Sequence, residues 1–349
     1  MINKQTVQRI NSARIILAIA LIGLPLCVMI YHEVKTVVPL QIHNALTFRS
    51  YSHDLRFGYR DTIIGRMDLD KAWQPRILGR MLGSLFTKPA DKFRGNEKRA
   101  EFIHLVGVYV AFWLGLTFLL YLGFLGKDAL IPILGTYAAV AFVYTPAIND
   151  RVYPWDMPML FFFSLFVCLL IKEKLPYFIL IIPIATLFRE SVAVLVPAYL
   201  FLSGSIRKRL FLFGAAASLY LATKATAGIL TNVGGGFSFN PTLLITNVRY
   251  ILFGTFPNIK EFYPNLYWLH HPFFLDAGLL AAFILYPFRG NNALILRIIT
   301  LVFIAVMFVF GVVIEYRGWL ELTPILLYPL YASKLGPSAT TGEPLLETS

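Results

Sequence analysis

FIHLVGVYVAFWLGLTFLLYLGFL, residues 102–125, runs unbroken through apolar side chains, with one histidine, His104, and no acid, lysine or arginine. A helix needs roughly 20 mainly apolar residues to cross the hydrocarbon layer of a bilayer, and this stretch reaches that length. Its apolar residues do not alternate with polar ones, which argues against a barrel strand. In hydrocarbon every backbone N–H and C=O needs an internal partner, and a helix supplies it within one segment. The stretch predicts a transmembrane helix.

The same reading extends along the chain. Apolar runs near 15–32, 102–125, 129–147, 157–172, 175–188, 191–204, 209–230, 272–288, 293–313 and 319–333 predict about ten spans. With 57% hydrophobic and 14% charged residues and a mean hydropathy of +0.67, the 349-residue chain is too apolar for an ordinary soluble domain. The expected fold class is an all-α polytopic membrane protein. Residues 1–334 form one transmembrane domain, with a long extracytoplasmic loop at 33–101 that carries amphipathic segments. The tail 335–349, with its Pro, Thr and Glu, is expected to be a disordered cytoplasmic extension.

A net charge of +12 could suggest nucleic acid, but basic residues flanking apolar segments are what cytoplasmic loops carry, so no nucleic-acid partner is expected. Lys4, Arg9 and Arg14 precede the first run. Pro25 and Leu26 stand where a lipoprotein peptidase needs small residues, which favours an uncleaved span over a signal peptide. Those three cations put the N-terminus inside. Alternation then places Lys127, Lys172 with Lys174, Arg207 to Arg209, and Arg289 with Arg297 on the cytoplasmic side, along with the C-terminus. Only the basic stretch 88–101 falls outside, in a loop long enough to translocate regardless of charge. The expected location is the inner (plasma) membrane of a bacterial cell envelope.

Residue types sort by face. The inner loops hold little beyond Lys and Arg, whereas the outer ones combine acids, arginines, aromatics and histidines, so the outer face is the expected working face. In Trp73-Gln74-Pro75-Arg76-Ile77-Leu78-Gly79-Arg80, Arg76 and Arg80 are one helical turn apart. They read either as arginines of an interfacial helix that snorkel to headgroups, or as a clamp whose planar forks match phosphate oxygens. Asp156 opens a helix after Tyr153-Pro154-Trp155, where a carboxylate is favoured by the helix dipole and by capping, but is also placed as a general base for a sugar hydroxyl. Arg189 and Glu190 read as a mutually neutralising pair between two short spans, or as a site where Arg189 meets an anionic lipid-linked group. Glu315 and Arg317 cannot share a helix face, while Arg317 and Glu321 can. Lys224, well inside a span, is expected to snorkel.

No metal or cofactor is expected. His270 and His271 are adjacent and point about 100° apart on a helix, so they do not bind one metal together. Cys27 and Cys168 lie inside apolar runs as small core residues. Gly234 to Gly236 lacks the context of a phosphate loop.

In these features together the chain resembles the polytopic glycosyltransferases of the GT-C superfamily, which take sugars from polyprenyl-phosphate carriers on the outer face of the membrane. The resemblance covers most of the chain up to Lys334. It rests on the long first outer loop, the turn Tyr153-Pro154-Trp155-Asp156-Met157-Pro158, the short-helix unit with Arg189-Glu190, and the late segment 315–324. The paired acids that many such enzymes carry after the first span are not clear here: Glu33 stands alone and Asp54 follows about twenty residues later. The resemblance implies inverting transfer from a polyprenyl-phosphate-linked sugar to a glycan or lipid acceptor. Asp54 is then the first choice of base and Asp156 the second. Arg76, Arg80, Arg189 and Arg317, with Glu190 and Glu315, are the phosphate- and substrate-binding candidates, and Trp73 and Trp155 the stacking platforms. A polysaccharide polymerase or ligase is the alternative for polysaccharide biosynthesis. A lipid-linked glycan transporter is disfavoured by the lack of repeats.

The orientation is testable directly. Cysteines placed in turn at Asn149 and Gly235 should label from outside, and those at Gly126 and Gly204 should not; outside labelling at Gly204 inverts the map.

Overall fold

The structure is a computed structural model that describes residues 76–143, 153–230, 244–245, 291–310 and 320–328. The expected spans 15–32 and 272–288, the tail 335–349 and most of the first outer loop lie outside the described residues. Those described fold without a strand into α1 (Ile77–Thr87), α2 (Gly95–Leu125), α3 (Leu130–Val143), α4 (Asp156–Ile171), α5 (Ile182–Phe188), α6 (Ile206–Leu230), α7 (Asn291–Phe310) and α8 (Thr323–Leu326), with 3-10 helices between α1 and α2, α2 and α3, α4 and α5, and α5 and α6, and one before α8. Two helical stretches are long and apolar enough to cross a membrane, Gly95–Val140 and Ile206–Leu230. Asp156–Ile171, Glu190–Phe201 and Asn291–Met307 are apolar but shorter. The expected span 175–188 is divided between a 3-10 helix, Leu175–Leu180, and α5. The expected span 191–204 is a 3-10 helix, Glu190–Phe201, interrupted by Pro197, which has no N–H to donate.

α2 begins seven residues before the apolar run that announced it, at Gly95, and ends at Leu125, after which Gly126 takes a φ of 60° that favours glycine. At 31 residues it is about 46 Å long, more than a bilayer's hydrocarbon layer requires. Its mid-section carries the core. Trp113 packs edge-on against Phe188 of α5 at 5.5 Å and beside Phe161 of α4 at 5.7 Å, while Phe86 of α1 meets Tyr109 at 5.0 Å. Two turns further, the Tyr121 hydroxyl lies 2.8 Å from Ser164 of α4 and 3.4 Å from Thr136 of α3, so three helices share one buried hydroxyl cluster.

Serine and threonine hydroxyls also bond back to their own helix. Thr117, Ser164, Thr186, Thr223 and Thr300 each donate to the carbonyl four residues back, at 2.7–2.9 Å. That is the economical solution where water is not available. Outward surfaces are apolar: on α6, Phe211, Leu221 and Ile229 are 61–79% exposed. α1 is amphipathic in the inverted sense. It turns Gly79, Arg80 and Gly83 inward and leaves Met81 and Leu85 exposed. Arginines snorkelling outward to headgroups are thereby corrected, since Arg80 is 1% exposed. For Arg76 the reason is Glu190, a carboxylate inside the fold that its guanidinium grips.

α4 ends in a Schellman cap: Lys174 N–H donates to Leu169 O at 2.8 Å and Glu173 N–H to Leu170 O at 3.1 Å. Glu173 adopts φ 55°, strained for a residue with a Cβ. Glu173→Gly should raise the thermal unfolding midpoint in detergent, by about 0.5–1 kcal/mol of stability. Glu173→Ala, which keeps the Cβ, should not.

Candidate functional site

Four segments distant in sequence meet where α1 and α4 begin and α5 ends. Arg76 immediately precedes α1; Asp156 opens α4; Arg189 and Glu190 form the turn after α5; Glu321 lies in the 3-10 turn Leu320–Leu322. Arg189 is extended, with φ −163° and ψ 142°, which sends successive side chains to opposite sides. The expected Arg189–Glu190 pair therefore does not form. Each finds a partner elsewhere.

Glu190 is gripped by Arg76 in a two-point fork, Nη2 donating to Oε1 at 2.6 Å and Nε to Oε2 at 3.1 Å. Arg189 Nη1 sits 2.6 Å from Glu321 Oε1 and 3.6 Å from Asp156 Oδ1, bridging two acids that are each 1% exposed. Asp156 also accepts the Tyr153 N–H on Oδ2 at 3.4 Å, which closes the turn before α4 and does not cap the first N–H groups of the helix. Arg80 lies one turn along from Arg76 on the inward face of α1. The guanidinium carbon of Arg76 stands 4.7 Å from the centre of the Trp155 ring, and Trp155 in turn stacks on Tyr153 at 5.0 Å with 21° between the planes. Gly79 eases this close approach, because a Cβ there would stand 3.2 Å from Trp155 Cβ, tighter than ordinary contact. Trp155 is 1% exposed. Its ring is occupied by Arg76 and Tyr153, so as it stands it is not an open platform for a sugar.

Electrostatics at the turn follow the pairing. Burial by itself would raise the Glu190 carboxyl, but the Arg76 guanidinium overrides it and holds the group at about 2. Burial would lower the Arg189 guanidinium, and Glu321 and then Asp156 reverse this, so it stays charged more firmly than in water. From α6, Lys224 and Tyr220 lie within electrostatic reach of Glu190.

The structure thus brings together Arg76, Trp155, Asp156, Arg189 and Glu190 from the sequence-predicted set. Asp54, Trp73, Glu315 and Arg317 lie outside the described residues, as does His270 with His271. Two participants escaped the sequence reading. Glu321 was paired by helical spacing with Arg317, and nothing local points to Arg189. Lys224 was assigned to snorkelling, although a lysine deep in an apolar helix is itself a signal of a polar neighbour. Among the described residues no group of three His, Cys, Asp or Glu is placed to hold a metal ion.

Comparison with protein-family models, curated proteins and solved structures finds no match for this chain. The site stands on its own geometry.

A carboxyl held at about 2 in the fold, against roughly 4.3 in an unfolded chain, contributes stability in full above about pH 5 and loses it as the pH falls through about 2. The difference in melting temperature between the native chain and Glu190→Gln should therefore be equal at pH 7 and pH 5.5 and should shrink below pH 3. A difference that has vanished by pH 5.5 contradicts the pairing with Arg76.

Proposed function

We propose that the chain is an integral membrane protein of about ten spans, with both termini cytoplasmic, and that its charged cluster serves glycosyl transfer from a polyprenyl-phosphate sugar to a lipid- or glycan-linked hydroxyl. The observation that carries this reading is the convergence of Arg76, Asp156, Arg189, Glu190 and Glu321, from four separate segments, at the ends of apolar helices. Charges are costly in so apolar a setting, and evolution retains them there chiefly for function. The apolar outward faces of α1 and α6 support a lipid surrounding.

In the proposed reaction a carboxylate takes the proton of the acceptor hydroxyl, whose oxygen attacks the anomeric carbon. The bond from that carbon to the phosphate oxygen breaks, with inversion, and the leaving phosphate takes the electron pair and is stabilised by arginine. Asp156 is poorly suited to the proton step as it stands, since Arg189 and the Tyr153 N–H engage its two oxygens. Asp54 remains the first choice of base, and Asp156 with Glu321 is then the pair that positions Arg189.

A second reading is favoured by the same distances. Because the cations and carboxylates pair with one another, the cluster also fits a purely structural clasp.

The two readings part on variants assayed for transfer from polyprenyl-phosphate hexoses and for monodisperse protein in detergent. Asp54→Asn should fold and lose transfer by about 100- to 10,000-fold, the range for a missing general base. Arg189→Lys should keep partial activity and Arg189→Ala should lose most of it. Full activity in both Asp54→Asn and Asp156→Asn removes the proposed base. Poor yield with normal specific activity in Arg189→Ala returns the cluster to a structural role.

A further inference from the structure

Tyr220 and Lys224 are one turn apart on α6 and share a face. α6 packs on α5 and on the 3-10 helix Glu190–Phe201, and that packing turns this face toward Glu190. Tyr220 is 5% exposed, and its hydroxyl, fully removed from solvent, has no hydrogen-bond partner. A buried phenol left in this state costs stability, and native structures seldom keep one without a reason. Beside it, Arg76 commits Nε and Nη2 to Glu190. A guanidinium carries five N–H donors, and the fork with Glu190 uses two of them. Lys224 is half-buried and the Glu190 side chain is 27% exposed, so this corner is the open side of the cluster, unlike the Asp156–Glu321 side. The outward face of α6 next to it is apolar, with Leu221 and Ile229 exposed.

We infer that Arg76, Tyr220 and Lys224 form a binding site for the phosphate monoester of a lipid that enters sideways along α6. The inference deepens the proposed function by naming where the carrier monophosphate released on transfer is held, the sugar-loaded donor itself being a phosphodiester, and it rests on that reading only for the identity of the lipid. Arg76 and Lys224 both act electrostatically on the Glu190 carboxylate, and the Tyr220 hydroxyl supplies the neutral donor that a phosphate oxygen completes. Glu190 repels the anion and at the same time fixes the Arg76 fork, so the phosphate joins the pair rather than replacing it. The apolar surface of α6 suits the prenyl or acyl chain.

The test is binding, not transfer, so that it remains informative if the transfer reading fails. Native mass spectrometry and thermal shift of the full chain in detergent would compare polyprenyl monophosphate, inorganic phosphate and the phosphodiester phosphatidylglycerol. Polyprenyl monophosphate should bind. Lys224→Gln should weaken it about tenfold or more, Lys224→Arg should retain it, and Tyr220→Phe should weaken it roughly two- to tenfold. Tyr220→Phe should also raise the melting temperature of the ligand-free protein, by roughly 1–3 °C, because it removes an unpartnered buried hydroxyl. That opposition of greater stability and weaker binding separates a ligand site from a packing defect. If inorganic phosphate competes fully at equal concentration, the lipid chain plays no part and lateral entry is wrong. If phosphatidylglycerol binds as tightly as the monophosphate, and the variants weaken both alike, the monoester assignment is wrong. Unchanged polyprenyl monophosphate binding in both Tyr220→Phe and Lys224→Gln overturns the site.

Discussion

Arg189 cannot be buried alone. Its guanidinium lies between Asp156 and Glu321, each almost wholly enclosed, and this three-way contact ties the start of α4 to the turn after α5 and to the late segment at 320–322. Removing one member of a buried charge set leaves the others uncompensated, at a cost of about 3–5 kcal/mol, whereas forming the set gains little over apolar packing. Such a set is therefore a device of specificity: it excludes arrangements in which those three segments do not meet. Other features of this end of the molecule follow from it. With Arg189 committed to Asp156 and Glu321, Glu190 must find its cation elsewhere, and Arg76 supplies it across the Trp155 ring. Arg76 reaches that position only because α1 passes close over Trp155, where Gly79 leaves room.

The rest of the described fold is held by different means. In helices whose outward faces are apolar, burial of apolar surface discriminates poorly between inside and outside, so packing shape and hydrogen bonds decide which faces meet. The aromatic group around Trp113 provides shape, interlocking rings from α1, α2, α4 and α5. The Tyr121, Ser164 and Thr136 hydroxyls provide the polar fastening between α2, α4 and α3. The threonine side chains that bond back to their own helix need nothing from neighbours, so they permit close contact without demanding a partner.

What could be read from the sequence followed from rules local in the chain. The apolar runs at 102–125, 157–172 and 209–230 mark α2, α4 and α6, because run length and composition depend only on consecutive residues. Their ends were harder to place. α2 starts at Gly95, since Asn96, Glu97 and Lys98 are sound helix formers or caps that hydropathy does not register. The gathering of acids and arginines at one end was legible from their types, but their pairing was not. Spacing rules couple residues three or four apart, whereas Arg76 and Glu190 are 114 positions apart. Adjacent Arg189 and Glu190 looked like a pair until the extended backbone at Arg189 turned them away from each other. Helical spacing likewise drew Glu321 toward Arg317, because nothing in a linear reading measures the distance to Arg189.

An arginine already held by a carboxylate is at first sight a poor receptor for phosphate, yet the geometry gives the opposite advantage. A flexible, solvated arginine loses side-chain freedom when it binds an anion, and that loss weakens the complex. Glu190 fixes the Arg76 fork and Trp155 supports its plane before any ligand arrives, so the ordering cost is borne by the fold. The anion then has to overcome only the repulsion of Glu190, and Arg76 and Lys224 stand close enough to that carboxylate to offset it. An Arg76→Ala protein would lose both the donor and the neutralising charge of Glu190. An arginine supported in this way acts as a preset donor group, in keeping with the general rule that sites acting on anions perform best when their dipoles need not reorganise.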